Sequence, residues 1–285
     1  MNKNVTKGSK HPSGCPIYNK VGIFKFCIAA LTVILAVVSG IFFGTSFDTK
    51  SMYFTSASAS YIFGGVIAAA IIAAIILSTL SKEQIAPSKR GATTFLQYIA
   101  GLVLFCLFLQ SVMSKSLWLV TFSLIAMAYF LGVFNKRIVA NTFLGIGAVV
   151  FFGVAIAQTY FDYGIAVNSP YKLLCQFSMA LAMYFIVSEL RLELDPKLSH
   201  SRAVMYKLVS CVTLALNFSA SVASIILLIK GADGIHYCFI PCLAMTLYSS
   251  KIFFARPVTV AETQDPDIPT ENTDEKGTDT DENVN

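Results

Sequence analysis

Eight mostly apolar stretches follow one another along this 285-residue chain, each close to the ~20 residues that a helix needs to cross a bilayer. They cover 23–43, 61–80, 95–112, 117–134, 139–159, 171–188, 208–229 and 235–254. Lipid offers a backbone no hydrogen-bond partner, so each stretch must satisfy its own N–H and C=O groups. The third and fourth are separated only by positions 113–116. Gln110, Ser111, Ser114, Lys115 and Ser116 favour a turn there over one long broken helix. The expected fold is therefore an all-α, polytopic integral membrane protein of about eight transmembrane helices.

Composition agrees. Hydrophobic residues make up 55% of the chain and charged ones 13%, against about 25% charged in a soluble globular domain. So little charge cannot coat a water-facing surface. This excludes an ordinary soluble enzyme, a nucleic-acid-binding domain and a disordered protein.

Lysine and arginine set the expected orientation, because they concentrate in cytoplasmic loops. The N-terminal side carries Lys3, Lys7, Lys10, Lys20 and Lys25. The even-numbered connections carry Lys82, Lys89 and Arg90, then Lys136 and Arg137, then Arg191, Lys197, Arg202 and Lys207, and the last stretch exits at Lys251 and Arg256. That places 16 basic residues on one side and only Lys50, Lys115, Lys172 and Lys230 on the other. Both termini are expected in the cytoplasm, in the plasma membrane. The first stretch is expected to be an uncleaved anchor, since the basic region before it is long and no A-x-A site follows.

The chain divides into a basic N-terminal tail at 1–22, the helical domain at 23–256 and an acidic tail at 257–285. The tail holds nine acidic residues and one lysine, whereas residues 1–256 carry a net charge of +13. With almost no large apolar side chains, the tail is expected to be disordered and cytoplasmic. It is either a bland solvated extension or a docking segment for a basic partner. Thr45-Ser-Phe47-Asp48 and Thr159-Tyr-Phe161-Asp162 lie after the first and fifth stretches. Further matches at a shift of 110 residues suggest a four-plus-four repeat, although apolar sequences match often by accident.

None of the common catalytic or nucleotide-binding motifs is present. The chain is expected not to be an enzyme and to need no cofactor. Its seven cysteines are odd in number, lack C-x-x-C and mostly lie in apolar runs, so they read as packing residues and not as a disulfide framework or metal site. Cys238 and Cys242 share a face beside Pro241 without further ligands. The expected partners are the lipid bilayer and a protein at the acidic tail, with no nucleic acid. The oligomeric state is not assigned.

Two groups of residues remain as site candidates. Ser210, Thr213, Asn217, Ser221 and Ser224 form one stripe along the seventh stretch. Such a stripe should face protein or water, either as glue between helices or as a solute path. Gln176, Asn141 and Gln158 are candidate companions. The second group surrounds Glu189 and Glu193, which share a helix face near the cytoplasmic end of the sixth stretch. Arg202 and Lys207 are their basic neighbours in sequence. These four residues read as an interfacial ion-pair group or as a gate. Small residues at four-residue spacing, Thr32, Ala36, Gly40 and Gly44 in the first stretch and Gly65, Ala69 and Ala73 in the second, are expected to pack helices, with each other as partners.

The stripe favours a transporter or permease subunit for a small or amphipathic solute. The acidic tail and the scarcity of intramembrane charge favour the alternative, a non-catalytic membrane scaffold or sensor that binds a partner through its tail.

Overall fold

The computed structural model describes residues 16–81, 84–86, 92–133, 137–162, 164–166, 168–194, 200–232 and 235–258. The tail expectation for 259–285 and most of the basic N-terminal tail fall outside them. Among the described residues there are eight α-helices: α1 (Pro16–Thr45), α2 (Ala57–Leu80), α3 (Ala92–Met113), α4 (Leu117–Phe130), α5 (Ile138–Phe161), α6 (Pro170–Leu194), α7 (His200–Ile229) and α8 (His236–Ser249). A 3-10 turn, Ser250–Phe254, extends α8. Seven of these helical segments are long and apolar enough to cross a membrane. The exception is α4, whose 14 residues rise only about 21 Å at 1.5 Å per residue.

Chain chemistry explains several boundaries. α6 starts at proline, which has no N–H to strand in the first turn. Ser56 caps α2 by accepting from the Ala59 N–H. α4 was expected to run to 134, but Gly132 at φ +64° turns the chain and the Val133 N–H reaches back to the Ala128 carbonyl. Gly231 at φ +76° ends α7 in the same manner. The turn expected at 113–116 is present. There Lys115 takes the left-handed conformation at φ +58° and the Ser116 N–H bonds the Ser111 carbonyl. α7 begins two turns before the expected 208, because residues 200–207 add a polar segment whose Tyr206 and Lys207 are buried.

Burial ranks the helices. α7 is the innermost, with 67% of its most apolar window buried against 22% for α2. It packs on α1, α2, α6 and α8, while α3, α4 and α5 lie against α8, α6 and one another. Outward faces are apolar: Val33, Ile34, Val37 and Ile41 on α1, and Phe143, Ile146 and Val150 on α5, are exposed. Polar groups are concentrated inside. That inversion of the soluble pattern suits lipid as the surrounding solvent.

The small-residue lines pair differently from the expectation. A side chain added at Gly40 of α1 would meet Ile226 and Val222 of α7, at 3.4 and 3.5 Å. On α2 the buried line is Phe63, Ala70, Ala74 and Ser78, whereas Gly65 has nothing near it. The central helix, rather than α2, takes the small face of α1, because α7 must be covered on every side.

Helix ends gather in two sets. At the terminal end, where α1 begins and α8 finishes, Lys25 of α1 donates to the Ala255 carbonyl at 2.9 Å. Lys207 at the start of α7 donates to the Ser81 carbonyl beyond α2. Gln97 of α3 donates to the Tyr129 carbonyl near the end of α4. Residues 84–86 pair antiparallel with 256–258, tying the segment after α8 to the α2–α3 connection. At the far end, Lys230 after α7 donates to the Phe43 and Phe47 carbonyls at 2.8 and 3.0 Å. Ser169 donates to the Met52 carbonyl. Phe43, Phe47, Phe54 and Phe63 close that end as an aromatic cluster, with ring centroids 4.9–5.5 Å apart. Such pairs add about 0.5–1.5 kcal/mol each beyond their area.

Candidate functional site

Glu189 lies on the last turns of α6, where the helix faces α7 and α8. Its side chain is buried, and so is that of Lys251, in the 3-10 turn after α8. Lys251 Nζ donates to Glu189 Oε2 at 2.5 Å. The Tyr248 hydroxyl donates to the same oxygen at 2.5 Å, and the Tyr206 hydroxyl donates to Oε1 at 3.2 Å. Tyr129 of α4 completes the group, 3.2 Å from the Tyr248 hydroxyl. A phenol has one proton. Since Tyr248 directs its proton to Glu189, Tyr129 is the donor in the tyrosine pair.

Four segments therefore converge on one carboxylate. Lys251 also sits 3.6 Å from the centre of the Tyr248 ring and 5.6 Å from that of Phe185, whose negative faces favour the ammonium. A lone buried charge would be costly. Here the carboxylate receives three donors and the lysine gains an acid and an aromatic face, which offsets much of the desolvation.

The sequence-derived partners of Glu189 are placed elsewhere. Lys207 is buried, reaches the Ser81 carbonyl and lies 5.7 Å over the Phe24 ring. Arg202 is half-buried on the wall of a groove between α6 and α7. Glu193, one turn beyond Glu189, accepts from Asn141 Nδ2 of α5 at 2.7 Å. Asn141 Oδ1 is buried without a hydrogen-bond partner among the described residues.

All five stripe residues are buried, and every side chain donates into backbone. Ser210 donates to the Tyr206 carbonyl at 2.6 Å, Ser221 to Asn217 at 2.8 Å and Ser224 to Ala220 at 2.7 Å. These bonds run one turn back along α7, a common way to satisfy a hydroxyl in apolar surroundings. Thr213 donates to the Leu181 carbonyl of α6 at 3.3 Å. Asn217 Nδ2 bridges the Ser178 carbonyl of α6, at 3.1 Å, and the Thr213 carbonyl of its own helix, at 2.8 Å. Ser224 meets the Tyr171 hydroxyl of α6 at 2.8 Å, and Ser221 lies 3.4 Å from the Thr246 hydroxyl of α8. In this conformation the stripe binds α7 to α6 and α8. Asn217 Oδ1 and Gln176 Nε2 are buried without hydrogen-bond partners among the described residues.

Several residues were missed by sequence reading. Lys251 was read only as an orientation signal, and Tyr129, Tyr206 and Tyr248 were not singled out. The i, i+3 spacing of Tyr248 and Lys251 was the one available signal, because it puts both on one face. Lys172 was also read only for orientation, yet it is fully buried. Its ammonium donates to the Asp162 and Ile165 carbonyls at 2.8 and 3.1 Å, beyond the end of α5. Cations there complement the negative end of the helix dipole. Among the described residues no group of three metal-ligating side chains gathers.

No protein family, curated protein or solved structure matches this chain.

Proposed function

We propose that the chain is a non-catalytic membrane scaffold or sensor, with the seven long helices and the shorter α4 together as its spans and both termini in the cytoplasm of a cell, working through its acidic C-terminal segment. One observation carries this reading. The root of that segment, residues 250–258, is fixed to the bundle by the cluster that holds the buried carboxylate. Lys251 binds Glu189, the Ala255 carbonyl receives Lys25, and 256–258 pair with 84–86. A shift at Glu189 would therefore be felt where the acidic segment leaves the membrane. That segment carries nine acidic residues and one lysine from position 257 onward, which suits a basic protein surface as partner. The basic Lys/Arg side of the chain supports the orientation, and the donated bonds of the α7 stripe support packing over transport.

The transporter reading keeps one supporting observation, the buried Glu189 itself, since ionisable groups within a membrane mark coupling and gating sites in many transporters. Thiol accessibility separates the two. Cysteines are introduced singly at Asn217 and Ser221 after the seven native cysteines have been replaced. On the scaffold reading both stay unreactive toward small hydrophilic thiol reagents from either side of the membrane. Modification of either, from either side, would sink the scaffold reading and restore the solute path.

A further inference from the structure

The first turns of α6 and α8 meet at the end of the bundle remote from the Glu189 cluster. There the Tyr171 hydroxyl lies 3.5 Å from the Ile235 carbonyl. One turn further along α6, the buried Cys175 thiol is in hydrogen-bonding contact with the buried thiols of Cys238 and Cys242 on α8. Cys238 Sγ also lies 3.7 Å from the Thr159 hydroxyl near the end of α5. The two helices run parallel and keep one register. Tyr171 and Ile235 are 64 positions apart, and at the other end Glu189 and Lys251 are 62 apart. Cys175 and Cys238 fall between these pairs in order and in separation, whereas Cys242 lies one turn beyond that register. We propose that Cys175 and Cys238 form a reversible disulfide that locks α6 to α8, closed by a small uncharged hydroperoxide.

The reaction balances with hydrogen peroxide as the oxidant. One sulfur gives up its proton and attacks a peroxide oxygen, the O–O bond breaks, and water leaves a sulfenic acid behind. The second sulfur then displaces that hydroxyl as a second water and forms the S–S bond. Two S–H bonds and one O–O bond are broken, and the two sulfurs lose two electrons to the peroxide. Burial selects the oxidant. Cys175 is 0% exposed and Cys238 1%, which shuts out bulky or charged reagents such as a soluble disulfide. Entry is local, at the start of α8. Ile235 supplies no side-chain cap there, and Pro241 contributes no N–H to the helix ladder. The turn that carries Cys238 is thereby weakly held, and its opening admits a molecule little larger than water. Among the described residues no metal-ligand set includes these thiols, so the pairing of two adjacent sulfurs on different helices is the chemistry that remains.

The test uses the full chain, purified reduced in a neutral detergent. Cys106 is exposed and Cys27 half-buried; both, together with Cys15, are changed to serine to remove side reactions. The protein is treated with hydrogen peroxide, quenched with catalase and unfolded, and its free thiols are blocked with N-ethylmaleimide. Intact mass and a peptide map are then read. Two thiols are expected to disappear, with Cys175 and Cys238 in one cross-linked peptide and Cys211 and Cys242 still free. A phosphine reductant should restore both thiols. Cys238→Ala is expected to abolish the loss and Cys242→Ala to leave it intact. The map identifies the pair in the parent protein, so the assignment does not depend on either variant folding, and the unsubstituted chain gives the same map if the serine variant does not fold. A thiol count unchanged by peroxide, a cross-link from Cys175 to Cys242 in place of Cys238, or oxidation to sulfinic acid without a cross-link would overturn the proposal.

Discussion

Lys251 and Glu189, 62 positions apart in sequence, meet at 2.5 Å inside the bundle, and this contact ties the end of α8 to the end of α6. Two tyrosines from different helices donate to the same carboxylate. The pair is thus part of a network and not an isolated bridge, so its removal is felt in four segments.

Glu189→Gln is expected to destabilise the protein, because it removes the carboxylate charge that pairs with the buried Lys251 ammonium. The double change Glu189→Gln/Lys251→Met should recover much of that loss. Thermal unfolding of the purified variants checks both. Equal destabilisation by the single and double variants would show that the charge pair is not what holds the end of α8.

Asn217→Leu preserves volume but removes the bridge from α7 to the Ser178 carbonyl. The expected cost is about 0.6–2 kcal/mol, the range for a hydrogen bond between membrane helices. A variant as stable as the parent would mean that the Asn217 bond contributes nothing to packing.

Gly145 lies where α5 approaches α6. An added Cβ would come within 2.5 and 2.7 Å of the two terminal carbons of Leu190, and 3.0 Å of the carbon that bears them. Rotation of Leu190 alone relieves only part of this, so Gly145→Ala should cost about 1–3 kcal/mol. Gly65→Ala, at a position with nothing near, is the control and should be neutral. Denaturation in parallel compares them.

Lys230→Met should loosen the far end, since the ammonium holds the Phe43 and Phe47 carbonyls just past α7. Hydrogen exchange at residues 46–55 is expected to quicken while exchange at the centre of α7 stays unchanged. Uniform quickening would place the effect in the whole fold instead.

Asp48 lies outside the helices, and its carboxyl is held below its ordinary value of 3.8 by the Ser51 side chain and the Lys50 and Ser51 backbone N–H groups. The ionised form is the one that accepts these bonds. The turn is therefore supported at pH values above 3.8 and loses that support as pH falls through the lower, folded value. A carboxyl titration followed by NMR should give a midpoint below 3.8. In Ser51→Ala the midpoint should move back toward 3.8.

By itself the sequence determined the helical membrane class and where most turns fall. Apolar run length and the backbone's need for internal hydrogen bonds leave few other solutions. Gly231 and the Ser114–Ser116 turn ended helices for local reasons, visible in the residues themselves. The α7 stripe was legible as well, because its spacing depends only on the 3.6-residue period. Tertiary structure alone decided what the stripe touches, that α7 rather than α2 takes the small face of α1, and that Lys251 rather than Arg202 or Lys207 pairs with Glu189. It also shortened α4 and extended α7 back to His200. Periodicity marks a face but not its neighbour, and the partner of a buried charge is set by which helix ends meet in space, whatever their separation in sequence.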